Sequence, residues 1–179
     1  MDRLPNLTLV TGGAASGKSA FAERLCAAGA GQKVYLATAV AHDDEMHSKI
    51  ARHRARRDAS WLNIEAPVDL ATPLAERSRG EVVLVDCLTL WLSNLMAEDR
   101  DVDAAVGELV QKLDLCAAHL ILVTNEVGQG IVPENALARR FRNAQGRLNQ
   151  TLAQHADLVV AVMSGLPLVL KGDLPGGVA

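Results

Sequence analysis

Aromatic side chains are scarce in this chain: Phe, Trp and Tyr together make up 3% of its residues. That leaves few platforms on which a single nucleic-acid strand could stack. Basic excess is missing as well. A formal net charge of -3 gives no positive field for non-specific nucleic-acid binding, although local arginine clusters keep an anionic small ligand open. No long apolar segment occurs, because the run from Val82 to Leu92 is too short to span a bilayer and is broken by Asp86. The opening Met1-Asp2-Arg3-Leu4-Pro5-Asn6 has no apolar signal region. Cys26, Cys87 and Cys116 lie far apart without CxxC spacing, which argues against a disulfide framework or a cysteine metal site. The expectation is a cytoplasmic protein with reduced thiols, no transmembrane segment and no nucleic-acid partner.

What is present is a mixed α/β pattern. At 179 residues, with no repeat, low-complexity tract or linker, one domain over 1–179 is expected, large enough to bury a core. Short β-branched runs alternate with helical stretches, which predicts a mostly parallel sheet flanked by helices on both faces. Strands are expected at Leu7–Thr11, Lys33–Thr38, Trp61–Glu65, Glu81–Asp86, Leu120–Thr124, Leu158–Val162 and Leu166–Leu170. A helix from Lys18 ends near Gly29, a polar helix runs from Asp43 to Arg57, and further helical stretches reach Met96 and cover Asp103–Ala117. Pro133 suits the first position of a long helix to His155. That helix is expected to carry Leu137, Phe141, Leu148 and Leu152 on a core stripe, with Arg139, Arg140, Arg142 and Arg147 solvated or at a subunit contact. Gly172 to Ala179 are expected to fray.

The chemistry begins with Gly12-Gly13-Ala14-Ala15-Ser16-Gly17-Lys18-Ser19, a full P-loop motif placed after an apolar strand and opening a helix. Glycines let successive backbone N–H groups wrap phosphate oxygens without a clashing Cβ, and the helix N-terminus adds a favourable dipole. Lys18 supplies a mobile positive charge for the β and γ phosphates, and the Ser19 hydroxyl is a Mg2+ ligand. A carboxylate that holds the same Mg2+, directly or through water, or supports the nucleotide is expected at Asp86, which follows four apolar residues at the carboxyl end of its strand. The competing role for Asp86 is to cap the next helix.

Five histidines are available. His119 and His155 sit where helices are expected to end, and His42 and His47 fall on or before the polar face of the Asp43 helix. His53 shares the face of Met46 and Ile50, among Arg52, Arg54, Arg56 and Arg57. Nearby cations disfavour its protonation, so its imidazole stays neutral, and they could hold a triphosphate against it. The pattern alone leaves a partly buried structural histidine and a nucleophile both open.

Several separated stretches together resemble one family. They are the P-loop with Val10-Thr11 before it; Tyr35-Leu36-Ala37-Thr38; Asp44-Glu45-Met46 leading to Lys49-Ile50-Ala51-Arg52-His53-Arg54; Trp61 with Glu65-Ala66-Pro67; Thr124-Asn125-Glu126-Val127-Gly128 with Gly130 to Asn135; and Gly146-Arg147-Leu148-Asn149-Gln150. The chain resembles the bifunctional adenosylcobinamide kinase/adenosylcobinamide-phosphate guanylyltransferases of cobalamin biosynthesis. The resemblance implies phosphorylation of adenosylcobinamide by ATP or GTP. Transfer of GMP from GTP to the resulting phosphate then releases pyrophosphate. It places a guanylylated histidine at His53, and nucleotide contacts at Gly12 through Ser19, Ala37, Thr38, Ala39, Arg54, Ala55, Arg56, Arg57, Glu65 and Asp86. Magnesium is implied at Ser19 and Asp86, and a homotrimer is implied for the assembly. This chain carries Ala15 where members often have Arg, and Arg52 where a second histidine can flank the nucleophile. Glu65 and Glu126 are further candidates for purine or ribose recognition, or for a general base.

Two other functions fit the P-loop. One is a plain small-molecule kinase that never holds GMP covalently; the other is a nucleotide-driven regulatory or assembly module.

Overall fold

The computed structural model of the chain describes residues 4–41, Asp44, Ala51, Arg54, Arg57 and 59–178. Seven strands form one sheet in the order β3-β2-β4-β5-β1-β6-β7. They are β1 (Leu7–Thr11), β2 (Gln32–Ala37), β3 (Trp61–Glu65), β4 (Glu81–Asp86), β5 (His119–Val123), β6 (Leu158–Met163) and β7 (Leu166–Lys171). All neighbours are parallel except β6 and β7, which form an antiparallel hairpin. The near-continuous apolar strands follow from this: Val82, Val83, Leu84 and Val85 are each 0% exposed, since the sheet is covered on both faces.

Side-chain parity sorts the core into two halves. Leu7, Leu9, Val34, Leu36, Val83 and Val85 point to one face. There they meet α2 (Ala71–Ala75), α3 (Leu88–Ala97), α4 (Val102–Leu115) and α5 (Ala136–His155). Val10, Tyr35, Leu84, Ile121 and Val160 point to the other, against Phe21, Ala22, Leu25 and Cys26 of α1 (Lys18–Ala28). The expected fold class, an α/β sheet with helices on both faces, is the one observed.

Local departures have identifiable causes. The long helix starts at Ala136 and not at the expected Pro133; Asn135 caps it, its Oδ1 accepting the Ala138 N–H at 3.1 Å. On this helix Leu137 is exposed, and Ala144, Gln145, Leu148 and Leu152 are the buried residues. Gly29 does end α1, but with an extended backbone; a Cβ there would lie 2.6 Å from Leu4 Cδ1 and 2.8 Å from Val82 Cγ2. Close packing, not a left-handed turn, explains the glycine. His119 opens β5 instead of ending a helix, and its ring Nδ1 lies 3.0 Å from the Pro5 carbonyl. Within the segment expected to fray, Val178 is buried in the α1-side core and Leu174 packs against that core, while Ala179 lies outside the described residues. Of the expected Asp43–Arg57 helix, Asp44, Ala51 and Arg54 are helical and Arg57 is not; its remaining residues lie outside those described.

The Asn135 cap yields a direct expectation. Asn135→Ala should lower the unfolding free energy by about 1 kcal/mol in a denaturant titration. An unchanged midpoint at unchanged slope would mean that the cap contributes nothing.

Candidate active site

Parallel strands put their carboxyl ends on one edge, and the register there brings the sequence-predicted residues level. Ala37 at the end of β2 pairs with Glu65 on one side and Asp86 on the other, and Asp86 pairs with Val123 of β5. The P-loop leaves β1 at the same edge, because Val10 is level with Val123. Glycine is needed in that loop for close approach. A Cβ on Gly12 would stand 2.5 Å from the Val162 carbonyl oxygen and 2.6 Å from Ser16 Oγ. Gly17 has φ 94, and a Cβ there would be 3.1 Å from Gly165 Cα. The β6–β7 turn thus backs the loop, and the Gly165 N–H donates to the Ser16 carbonyl at 2.8 Å. Ala15 is itself left-handed, at φ 56. The Lys18 ammonium donates to the Gly13 carbonyl at 3.0 Å, folded back across the loop it serves.

A cavity of about 620 Å³ opens at this edge. Ala14, Ala15, Lys18 and Ser19 form its cradle side, with Asp86 in the wall. Ala37, Ala39, Arg54, Arg57 and Glu65 line it from the neighbouring strands and the segment before β3. Gly12, Gly13, Ser16 and Gly17 belong to the loop backbone and are not lining residues. Thr38 is not one either: it is fully buried, and its hydroxyl donates to the Cys87 carbonyl at 2.7 Å while accepting the Cys87 N–H at 2.8 Å. It fastens the end of β2 to the end of β4. His53, Ala55 and Arg56 lie outside the described residues.

Asp86 does not cap α3. Cys87 occupies that position, without a side-chain cap hydrogen bond. The Asp86 carboxylate instead accepts a hydrogen bond from the Tyr35 hydroxyl, which lies 3.2 Å from Oδ2. The wall therefore offers the Ser19 hydroxyl and the Asp86 carboxylate. These are two hard oxygens of the kind Mg2+ takes while its other positions go to phosphate and water. That donor set fits magnesium.

Residues without a sequence-level assignment also reach the cavity: Tyr35, Asn63, Cys87, Leu90 and Asn125. Strand parity could have found the first two, since Tyr35 shares a face with Ala37, and Asn63 with Glu65. Asn125 is positioned through its backbone. Its N–H donates to Thr89 Oγ1 at 2.8 Å, and its carbonyl accepts from Asn149 Nδ2 at 3.1 Å. Behind it, Thr124 Oγ1 donates to Asn149 Oδ1 at 2.7 Å and accepts from Gln145 Nε2 at 2.9 Å. Glu126 is used locally, with Oε1 accepting the Gly128 N–H at 2.7 Å.

Residues 8–170 match the CobU family, described as cobinamide kinase / cobinamide phosphate guanyltransferase. The chain is 45% identical over 168 residues to the bifunctional adenosylcobalamin biosynthesis protein CobP of Pseudomonas aeruginosa, covering 92% of this chain and 97% of that one. It is 40% identical over 181 residues to the bifunctional adenosylcobalamin biosynthesis protein CobU of Salmonella typhimurium, with 92% and 99% covered. CobU of Escherichia coli matches with the same identity and coverage. Among solved structures, a Pyrococcus horikoshii protein aligns with a TM-score of 0.53 at 11% identity, covering 99% of this chain and 91% of that one. An ATPase from the type III secretion system of pathogenic bacteria aligns with a TM-score of 0.55 at 9% identity, covering 88% and 51%. At such identities these two speak to the fold alone. Among the described residues, no helix is long and apolar enough to cross a membrane.

Proposed function

The chain belongs to the cobinamide kinase / cobinamide phosphate guanyltransferase family and is an enzyme of both activities; from this premise we propose that one nucleotide site serves both reactions and that GMP passes through His53. The substrates are adenosylcobinamide and then its phosphate. ATP or GTP supplies the phosphoryl group in the first reaction, and GTP supplies GMP in the second.

The observation that carries this reading is the convergence of Lys18, Ser19, Asp86, Arg54, Arg57 and Glu65 on one cavity. In the kinase reaction the substrate hydroxyl oxygen attacks the γ-phosphorus and the nucleoside diphosphate leaves. In the second reaction a neutral His53 nitrogen attacks the α-phosphorus, the bond to the bridging oxygen breaks, and pyrophosphate departs. A phosphate oxygen of adenosylcobinamide phosphate then attacks the same phosphorus. The N–P bond breaks, His53 is restored, and adenosyl-GDP-cobinamide is released. Lys18 and the P-loop amides hold the phosphates in line, while Arg54 and Arg57 add positive charge from the facing wall. Ser19 and Asp86 would hold Mg2+. When bound, that ion offsets the charge that builds on the departing phosphates. The two reactions turn different phosphorus atoms toward the acceptor, so movement of the His53 segment is part of the proposal. So are a cytoplasmic location and a homotrimeric assembly.

Labelled GTP tests it. Incubation with α-labelled GTP and Mg2+, followed by denaturation, should leave label on the protein; γ-labelled GTP should leave none. The adduct, a phosphoramidate, should be lost in acid and kept in alkali. Absence of α-label in a preparation that still phosphorylates cobinamide would reduce the chain's covalent chemistry to that of a plain kinase.

A further inference from the structure

The reactions above give Tyr35 no part, yet its surroundings hold it on several sides. It is 6% exposed and lines the cavity. Its hydroxyl donates to Asp86 Oδ2 at 3.2 Å. The Arg57 guanidinium lies over the ring face, with its carbon 3.4 Å from the centroid. The Trp61 ring meets Tyr35 edge-on at 6.5 Å. Arg57 is oriented in turn by Asn63, whose Oδ1 accepts from Nε at 3.2 Å. One guanidinium nitrogen of Arg57, Nη1, is buried and has no hydrogen-bond partner among the described residues.

The register explains how these groups meet. Tyr35 pairs with Leu84 and Ala37 with Asp86, so Tyr35 is the diagonal neighbour of Asp86 across β2 and β4. A long aromatic side chain spans that diagonal. A hydrogen bond from a phenol to one carboxylate oxygen favours one rotation of that group about its terminal bond. The ring has a further use: it seats Arg57, a residue of the segment before β3 that carries His53 in the sequence.

We infer that Tyr35 is a positioning residue of the metal–nucleotide site, whose hydroxyl sets the Asp86 carboxylate to receive Mg2+ while its ring holds Arg57 over the same cavity. This rests on the reading of Asp86 as a magnesium group. It predicts that removing one oxygen atom, which takes part in neither bond-breaking step, alters the magnesium requirement of nucleotide binding.

The experiment measures GTP binding by calorimetry, first in a chelator and then across a Mg2+ titration. Wild type, Tyr35→Phe, Asp86→Asn and the double variant are compared. Tyr35→Phe retains the ring and its stacking, and a thermal melt checks that it folds. The Mg2+ concentration for half-maximal binding should rise about five- to tenfold in Tyr35→Phe, from loss of one charge-assisted hydrogen bond. Metal-free GTP affinity should stay as in wild type. In the Asp86→Asn background the same change should add nothing, since the carboxylate it orients is gone. Equal weakening with and without Mg2+, or a full additional effect in the double variant, would make Tyr35 merely structural. An unshifted titration in Tyr35→Phe beside a shifted one in Asp86→Asn overturns this inference alone. An unshifted titration in Asp86→Asn overturns both the magnesium reading of Asp86 and the role of Tyr35 that depends on it.

Discussion

His53→Asn should abolish retention of α-label on the protein and lower guanylyl transfer by at least about a thousandfold, with phosphorylation of cobinamide kept within about twofold. The split follows from what each reaction asks of the protein. Transfer through a covalent intermediate needs a nitrogen lone pair, which an asparagine amide does not offer. The kinase reaction needs only the cradle, the metal-binding groups and an aligned hydroxyl. Arg54 and Arg57, which follow His53 in sequence, both line the cavity, and this supports the assignment. Two rival histidines are engaged elsewhere. His119 lies beside the Pro5 carbonyl at the amino end of β5, away from the carboxyl edge, and His155 pairs with Asp114 at 3.2 Å. Separate assays of the two reactions on the purified variant decide the matter. Label retained in His53→Asn but lost in a variant of His42, His47, His119 or His155 would move the nucleophile to that residue.

Lys18→Ala should lower both activities by about ten- to hundredfold, the range expected for one lost charge-assisted contact to phosphate. The side chain is 8% exposed and bridges its own loop through the Gly13 carbonyl. The thermal midpoint is a necessary companion measurement. A fall in both rates with a preserved midpoint is the signature of a shared phosphate cradle. Loss of only one activity would mean that the two reactions do not share it. Two unchanged rates would remove Lys18 from the mechanism.

Most of the fold was legible because doubly buried parallel strands write themselves as apolar runs. Glu81–Asp86 and Trp61–Glu65 begin and end where the residue pattern puts them. The P-loop was legible because its spacing is set by phosphate geometry. What was not legible depended on distant partners. Gly29 reads as a turn residue, and only the packing of Leu4 and Val82 against it reveals another reason. Thr38 reads as a nucleotide contact beside Ala37, but its hydroxyl is taken up by the Cys87 peptide, a residue 49 positions away. The same limit applied to Asn149 and Gln145, whose side chains brace the Thr124–Asn125 segment from a helix far along the chain. Tyr35 could be placed on the correct face by alternation, yet nothing local says that its hydroxyl finds Asp86.

Gly12 and Gly17 of the P-loop lack side chains partly because backbone from the β6–β7 hairpin occupies that space. The motif lies at residues 12–19, whereas its backing lies at Val162 and Gly165, and β1 itself pairs with β5 and β6. On the ribosome, therefore, the phosphate-binding loop emerges well before the hairpin that supports it. Contacts of such long sequence separation close late, after most of the loop entropy has been lost. A nascent chain halted before Leu158 would contain every residue of the P-loop motif but none of the hairpin backbone against which Gly12 and Gly17 pack.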